Sequence, residues 1–534
     1  MKSDIDLIDK LGTAVRYDAQ QPTAHDGPDA ASSSAEANTP TNTAVIAEPG
    51  EAAGRPSTQA ETLIELAQTA DLFRTPARTG YADIVVNGHR ETWPIRSKEF
   101  RRWLLHGYFL ATGGAPNSEA LQSALGVIDA RAQFNAPERV VHIRVGDYDG
   151  RLYLDLCDEN WRAVEIDAKG WCIVANPPLR FRRTAGMLPL PAPVSGGSIN
   201  ELRAYVNIRS DADFVLAVAF LLACLRDKGP YPVLVLAGEQ GSAKSTLAAL
   251  LRSLIDPNTS PLRALPRDDR DLFIAALNAH MLAFDNVSGL STWISDTFCR
   301  LATGGGFAVR QLYTDQDEIL FSATRPIILN GIEDMVNRPD LGERSLFLVL
   351  EPIPDDQRRP EAKLWAAFEA VRPSILGALL DAVVMGLARL RDTKLEKLPR
   401  MADFALWATA CETALWPAGT FAAAYDRNRS EAVLDVLDAD PVAVALLTMM
   451  DKRAEWTGTA TGLLKALADE VDERIAHSKN WPGTAKAMSG RLRRIAPSLR
   501  KIGIVATFSR TGHRRDRTIR LTRLAADEVL VAKE

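Results

Sequence analysis

Pro232-Val-Leu-Val-Leu-Ala237 runs directly into Gly238-Glu239-Gln240-Gly241-Ser242-Ala243-Lys244-Ser245-Thr246 and then into Leu247-Ala-Ala-Leu-Leu-Arg-Ser-Leu254. A short apolar run, a loop of small residues and a longer apolar stretch read as a buried strand, a tight loop and a helix. Small residues let successive backbone N–H groups turn inward onto phosphate oxygens, and the helix N-terminus adds its positive dipole end. In such a phosphate-binding loop Lys244 reaches the β- and γ-phosphates, and the Ser245 hydroxyl coordinates Mg²⁺. The departure is Ala243, which stands where the pattern has Gly.

A second apolar run, His280-Met-Leu-Ala-Phe-Asp285-Asn286, ends in an acid 41 residues after Lys244. A Walker B strand delivers a carboxylate to Mg²⁺ from that position in the chain order, so Asp285 is the second metal residue. Asn286 follows it, where many such ATPases carry the acid that activates water. An amide orients water but cannot accept its proton, so no general base is assigned. His280 opens the same strand and reads as a structural residue.

Outward from this core, residues 14–58 are rich in Ala, Ser, Thr, Pro and acids with Tyr17 as the only aromatic, a composition that cannot offset ordering entropy. The expected organisation is a disordered leader over 1–60, a small α/β module over 61–190, the ATPase core over 198–355, a helical extension over 356–440 and a basic winged-helix domain over 441–534. The N-terminal module is signalled by Tyr81–Val86, the Asn87-Gly88 turn and His89–Ile95, then by helical stretches near 97–106 and 118–131 and by apolar runs up to Ile166. Asp147-Tyr148-Asp149-Gly150 resembles a two-carboxylate metal site, yet it stands where two strands need a turn. Pro189–Gly197 reads as a linker.

Phe298-Cys-Arg-Leu-Ala-Thr303-Gly304-Gly305-Gly306-Phe-Ala-Val-Arg310-Gln-Leu-Tyr313, then Arg325-Pro-Ile-Ile-Leu-Asn330-Gly331, then Leu341-Gly-Glu-Arg344-Ser-Leu-Phe-Leu-Val, resembles superfamily 3 helicases. It looks in particular like the ATPase portion of primase-helicase replication proteins of phages, plasmids and integrated elements. The likeness is close from about 205 to 355 and implies an AAA+-like α/β P-loop core. By this resemblance Thr303–Tyr313 leads to a hairpin in a ring's central channel, with Arg310 the residue that touches DNA; Gly306 stands where relatives usually carry Asp. Asn330 matches the polar sensor between γ-phosphate and attacking water, although Asn-Gly is also a common turn. Arg344 matches the arginine finger inserted into a neighbour's site, with Arg338 as the nearby alternative. The family implies a hexameric ring.

The chain has 534 residues and a formal charge of −5, but the charge is segregated. Lys479–Arg523 holds thirteen basic residues against Asp516 alone, a net of +12 that leaves −17 elsewhere. Lys486, Arg491, Arg493 and Arg494 lie on a helix whose Met488, Leu492, Ile495 and Leu499 fall at core spacing, and Arg514, Arg515 and Arg517 lie on a hairpin about Gly512. Helix, helix and hairpin is the order of a winged helix-turn-helix, and these cations suit a DNA backbone.

Five scattered cysteines indicate neither a disulfide framework nor a zinc site. The longest apolar run, Phe214–Leu225, is too short to span a bilayer, and the acidic N-terminus does not resemble an export signal. A cytoplasmic protein with no membrane partner is expected. The reading is an ATP- and Mg²⁺-dependent ring translocase or helicase acting on single-stranded or forked DNA in replication of a mobile element. The alternative is a DNA-binding NTPase switch that remodels a complex without unwinding. A primase fusion is disfavoured because 60–190 shows no zinc set or metal carboxylate cluster.

Overall fold

The computed structural model describes residues 57–310, 318–332, 335–336, 338–438, 440–478, 481–511 and 516–524. All but the last four residues of the expected leader therefore lie outside the described residues. The chain divides into two compact units. One runs as far as Val141 and takes in the described part of 307–321, and the other holds 142–306 and everything from Ser322 onward.

In the first unit α1 (Gln59–Leu66) starts at a capping box of Thr58 and Glu61. Strands β1 (Asp71–Arg74), β2 (Gly80–Val86) and β3 (His89–Pro94) form an antiparallel sheet in that order. Asn87 and Gly88, at φ 48° and 84°, make the hairpin turn. Helices α2 (Lys98–Thr112) and α3 (Ser118–Asn135) follow; Leu63, Ala82, Ile95, Phe100, Leu104 and Ile128 are part of the core. α2 stops where Gly113 turns left-handed at φ 70°.

The second unit carries more than the expected core. After β4 (Val141–His142), strands β5 (Val145–Tyr148), β6 (Arg151–Asp155), β7 (Ala163–Ile166) and β8 (Trp171–Val174) make an antiparallel sheet in sequence order, and β9 (Arg180–Phe181) follows. Leu154, Val164 and Ile166 share one core with Phe214–Leu225 and with Leu376 and Leu380. These strands therefore belong to the second unit, because alternating apolar residues specify that a face is buried without specifying against what. Asp149 and Gly150 take φ 51° and 73° in a two-residue turn, and Asp147 pairs with Lys228 at 3.1 Å. Among the described residues no cluster of three or more His, Cys, Asp or Glu could hold a metal. The expected linker is packed: Val194 N–H donates to Pro373 at 3.0 Å, and a Cβ on Gly197 would stand 2.2 Å from Ser374 O.

Helix α4 (Asp211–Cys224) is buried all round from Phe214 onward, which explains its unbroken apolar run. Next come β10 (Val233–Gly238), α5 (Lys244–Ile255), α6 (Asp269–Leu277), β11 (Leu282–Val287) and α7 (Thr292–Thr303). The paired strands β12 (Gly306–Arg310) and β13 (Glu318–Ser322) precede β14 (Ile327–Gly331), α8 (Pro339–Gly342) and β15 (Ser345–Leu350). The central sheet is wholly parallel, in the order β11-β14-β10-β15. Its middle strands are continuous Val/Ile/Leu runs because both faces are covered. Beyond β11 a single bridge from Arg263 to Phe284 adds a fifth, vestigial edge.

Asp256, at the end of α5, fixes β11 in place. Its Oδ2 accepts the N–H groups of His280 and Met281 at 3.0 Å each, and its Oδ1 accepts from the buried Arg144 Nε at 3.1 Å. Burial alone would raise this carboxyl, but Arg144 and Arg252, with the Met281 amide, hold its pKa below the ordinary value. His280 donates from Nε2 to Cys224 O at 2.7 Å, and burial lowers its pKa to about 4.

Helices α9 (Glu361–Arg389), α10 (Ala402–Glu412) and α11 (Thr420–Asp438) complete this layer. The 29-residue α9 is, among the described residues, long and apolar enough to cross a bilayer by length and composition. Its Phe368, Ile375, Leu376, Leu379 and Leu380 are fully buried in the main core. A separate core then unites α12 (Pro441–Asp451), β16 (Glu455–Gly458), α13 (Ala460–Ala468), α14 (Glu473–Ala476), α15 (Ala485–Lys501), β17 (Ile504–Thr511) and β18 (Asp516–Arg523). Its sheet is antiparallel in the order β16-β18-β17.

Candidate active site

The loop from Gly238 to Lys244 stands at the carboxyl end of β10, where ligands bind in open parallel sheets. Gly238 takes φ 142°, and a Cβ there would lie 2.2 Å from Leu350 O on the neighbouring strand, so only glycine fits. Gly241 turns left-handed at φ 86°. Ala243 also does so, at φ 59°, in the position where the pattern has Gly. A left-handed alanine costs about 1–2 kcal/mol, which the surrounding hydrogen bonds must offset. Ser242 is fully buried: its hydroxyl donates to Glu239 O at 2.8 Å, and its own carbonyl accepts from Asn207 Nδ2 at 3.0 Å.

α5 begins with no side-chain cap, so the first N–H groups, of Lys244, Ser245 and Thr246, open toward the loop. Lys244 Nζ donates to Gly238 O at 2.8 Å and Glu239 O at 2.7 Å. Desolvation lowers the Lys244 pKa, against the pull of Asp285. The lysine thus spans the mouth of the loop.

Three side chains from three elements meet beside it. Ser245 Oγ donates to Asp285 Oδ1 at 3.1 Å, and Asn330 Nδ2 donates to the same oxygen at 2.6 Å and to Ser245 Oγ at 3.0 Å. The Asn286 N–H adds a third bond to Oδ1 at 2.9 Å. Three of these bonds fall on one carboxylate oxygen. Asn286 itself sits at φ 54° in a bulge between Phe284 and Val287, with its side chain exposed. Asn330 is almost fully buried at the end of β14 and bonded to Asp285, so it is no surface turn. A hydroxyl and a carboxylate are the hard-oxygen donors Mg²⁺ takes when phosphates and water complete its shell, so the residues fit that ion.

Arg344 lies at the opposite end of the sheet. Its carbonyl accepts from Val233 N–H at 2.9 Å where β10 starts, roughly 16 Å of strand from Gly238 at about 3.3 Å per residue. Its guanidinium is mostly buried and bonded through Nη1 to Asp340 O and Oδ1, each at 2.7 Å. Asp340 also accepts from Arg400 Nη2 at 2.7 Å, while Glu343 accepts from Arg400 Nη1 at 2.9 Å and Lys501 Nζ at 3.1 Å. Burial would raise both carboxyls, but these cations hold them below their ordinary values. Arg338 is more exposed and pairs with Asp296 at 3.0 Å.

On α15, Met488, Leu492, Ile495 and Leu499 are buried and Lys486, Arg493 and Arg494 are exposed. The Arg493 guanidinium stacks 4.0 Å from the Phe508 ring centroid. Arg491 differs from expectation: its Nε donates to Asp440 Oδ2 at 2.7 Å, and Asp440 Oδ1 caps α12. Arg491 is therefore engaged in an ion pair within its own domain, half-buried rather than free on the cationic face. Arg514 and Arg515 lie outside the described residues; for Arg310 and Arg517 only the backbone, in β12 and β18, is described.

Two residues escaped the sequence reading. Asn207 ties the loop to the end of β15 by donating to Ser242 O and, at 2.7 Å, to Glu351 O. Arg358 lies against the loop, its Nη2 3.2 Å from where a Gly241 Cβ would stand. Neither belongs to a local pattern; both reach the loop only through the fold.

Residues 199–437 match the family model described as actinomycete integrative conjugative element replication protein, and 442–532 match the model of that protein's C-terminal domain. No curated protein matches the chain. Among solved structures, the chain is similar to SCCmec type IV Cch, described as an active helicase, at 13% identity over 86% of this chain and 93% of that one, with a TM-score of 0.46. It is also similar to an apo NrS-1 C-terminal region at 12% identity over 88% and 100%, with a TM-score of 0.39.

Proposed function

We propose, from the match of 199–437 and 442–532 to the models of an actinomycete integrative conjugative element replication protein and its C-terminal domain, that the chain is a mobile-element replication protein working as an ATP-driven DNA helicase or translocase of superfamily 3 type. The observation that carries this reading is the convergence of Lys244, Ser245, Asp285 and Asn330 at the carboxyl end of one parallel sheet. The order β11-β14-β10-β15, with the Arg263 bridge beyond β11, supports an AAA+-like P-loop core.

The amides of residues 238–246 and Lys244 bind the triphosphate. Ser245 and Asp285 would hold Mg²⁺, which supplies charge neutralisation on the phosphates. Asn330 orients the attacking water, and the exposed Asn286 amide assists without taking its proton. Arg344 is too far from its own loop to serve it, so a neighbouring copy receives it in a ring, hexameric by resemblance. Such a finger contributes ~10³–10⁵ in rate.

From α12 to β18 the order is helix, strand, three helices and a hairpin, which contains the helix–helix–hairpin succession of a winged helix. Lys486, Arg493 and Arg494 present its cations to DNA phosphates, and each contact adds about −0.9 to the log–log salt slope. The Arg310 hairpin follows the translocating strand.

Strand displacement on forked DNA tests the reading. Wild type separates the strands with ATP and Lys244→Ala does not; equal separation by both refutes it. The exposed Asn286, an amide where a general base is expected, favours a second reading as a remodelling switch with slow turnover. That reading requires turnover indifferent to single-stranded DNA, whereas a translocase is stimulated.

A further inference from the structure

We propose that Arg358 is a second cation supplied by the same chain to the triphosphate held at the Gly238–Thr246 loop. The inference rests on the nucleotide-binding reading above and extends it to a residue outside the motif.

The segment after β15 is bonded to the loop. Ile353 N–H donates to Gly241 O at 3.1 Å, and Asn207 Nδ2 bridges Ser242 O and Glu351 O. Within this segment Arg358 Nε donates to Ile353 O at 3.3 Å, which turns the guanidinium back toward the loop. Its Nη2 then stands 3.2 Å from the Cβ position of Gly241, so any larger residue at 241 would crowd the guanidinium. The glycine keeps the space between backbone amides and guanidinium open. The arginine side chain is 56% exposed, and its ion-pair partner is Asp355, 2.9 Å away and itself 90% exposed. Such a solvent-exposed pair is weak, so a phosphate displaces the carboxylate at little cost. A bidentate guanidinium–phosphate contact is much stronger than the pair it replaces.

A nucleoside triphosphate carries more negative charge than Lys244 and one Mg²⁺ together neutralise. Arg344 is at the far edge of the sheet and Lys244 caps carbonyls of the loop. Arg358 is the additional cation against the loop in the same chain, and it is anchored to move with the loop. It thereby favours nucleotides with a long phosphate chain, and this selectivity separates a phosphate contact from a base or ribose contact.

The test is calorimetric titration of the full chain with Mg²⁺ and, in turn, a non-hydrolysable ATP analogue, ADP and AMP. Arg358→Gln weakens the triphosphate about ten-fold, the diphosphate less and the monophosphate hardly at all. Arg358→Lys recovers part of the loss, and Asp355→Ala binds the triphosphate as well as wild type or better. Equal losses for all three nucleotides, or no loss with Arg358→Gln, overturn the proposal while leaving nucleotide binding intact. Absence of binding by wild type, or undiminished binding by Lys244→Ala, instead overturns the reading on which it rests.

Discussion

Lys501 Nζ lies 3.1 Å from Glu343 Oε1, which bonds the last residue of the basic helix α15 to the residue directly before Arg344. Arg400 joins Glu343 to Asp340, and Asp340 holds the Arg344 guanidinium. A continuous chain of ion pairs therefore connects the cationic C-terminal domain to the proposed finger. Glu343→Gln breaks its middle link. Partly exposed pairs are worth up to about 1 kcal/mol, so the expected effect is a change of up to about five-fold in DNA stimulation of ATP turnover. DNA affinity stays within two-fold of wild type. Turnover assays with and without single-stranded DNA check this, and an unchanged stimulation ratio disproves the link.

Replacing Asn330 by Asp places a second carboxylate 2.6 Å from Asp285 Oδ1, where an amide now donates. Two like charges at that distance do not both ionise near neutrality. Steady-state ATP turnover by Asn330→Asp is expected to drop about 100-fold at pH 7, roughly the loss of one preorganised donor. Thermal melting should show the fold intact; wild-type turnover excludes the role given to Asn330.

Ala243 at φ 59° makes a stability prediction with a definite sign. Ala243→Gly removes left-handed strain and adds unfolded-state freedom, a net gain of about 0.5–1 kcal/mol. Ala243→Val is destabilising by more than that, because a β-branched residue tolerates this conformation poorly. Chemical denaturation of the three proteins gives the order, and a valine variant as stable as glycine contradicts it.

His280 titrates at about 4 when folded, below its ordinary value near 6.5, chiefly through burial. Between these values the unfolded chain binds the extra proton, so the histidine's contribution to stability is complete above pH 6.5 and is lost as pH falls toward 4. Over that window it amounts to about 3 kcal/mol. His280→Gln lacks the titrating ring, so its melting temperature should fall less steeply over the same interval. Parallel pH profiles for the two proteins would disprove the assignment.

The loop and the Ser245–Asp285 pair are legible in the sequence because strand, glycine-rich turn and helix are consecutive, and each element signals itself by local pattern. Long-range partnerships are not. Arg491 looks like its neighbours on a basic helix until Asp440, 51 residues away, claims it. Strands β1, β8 and β16 have only four residues each, too short for a period to show. The strands up to Ile166 read as alternating apolar residues, but their core partners Phe214 and Leu376 lie far along the chain. Arg358 sits in a charged stretch that reads as surface, and only the bond from Ile353 to Gly241 brings it to the loop.

On the proposed reading, the placement of Gly238 and Arg344 at opposite ends of parallel strands makes each copy a donor at one edge and an acceptor at the other. A contact joining those edges with the sheets aligned is heterologous, so repetition closes a cycle or extends a filament. On that reading catalysis belongs to seams. Lys244→Ala and Arg344→Ala chains, each inert alone, regain activity on mixing wherever a sound loop meets a sound arginine.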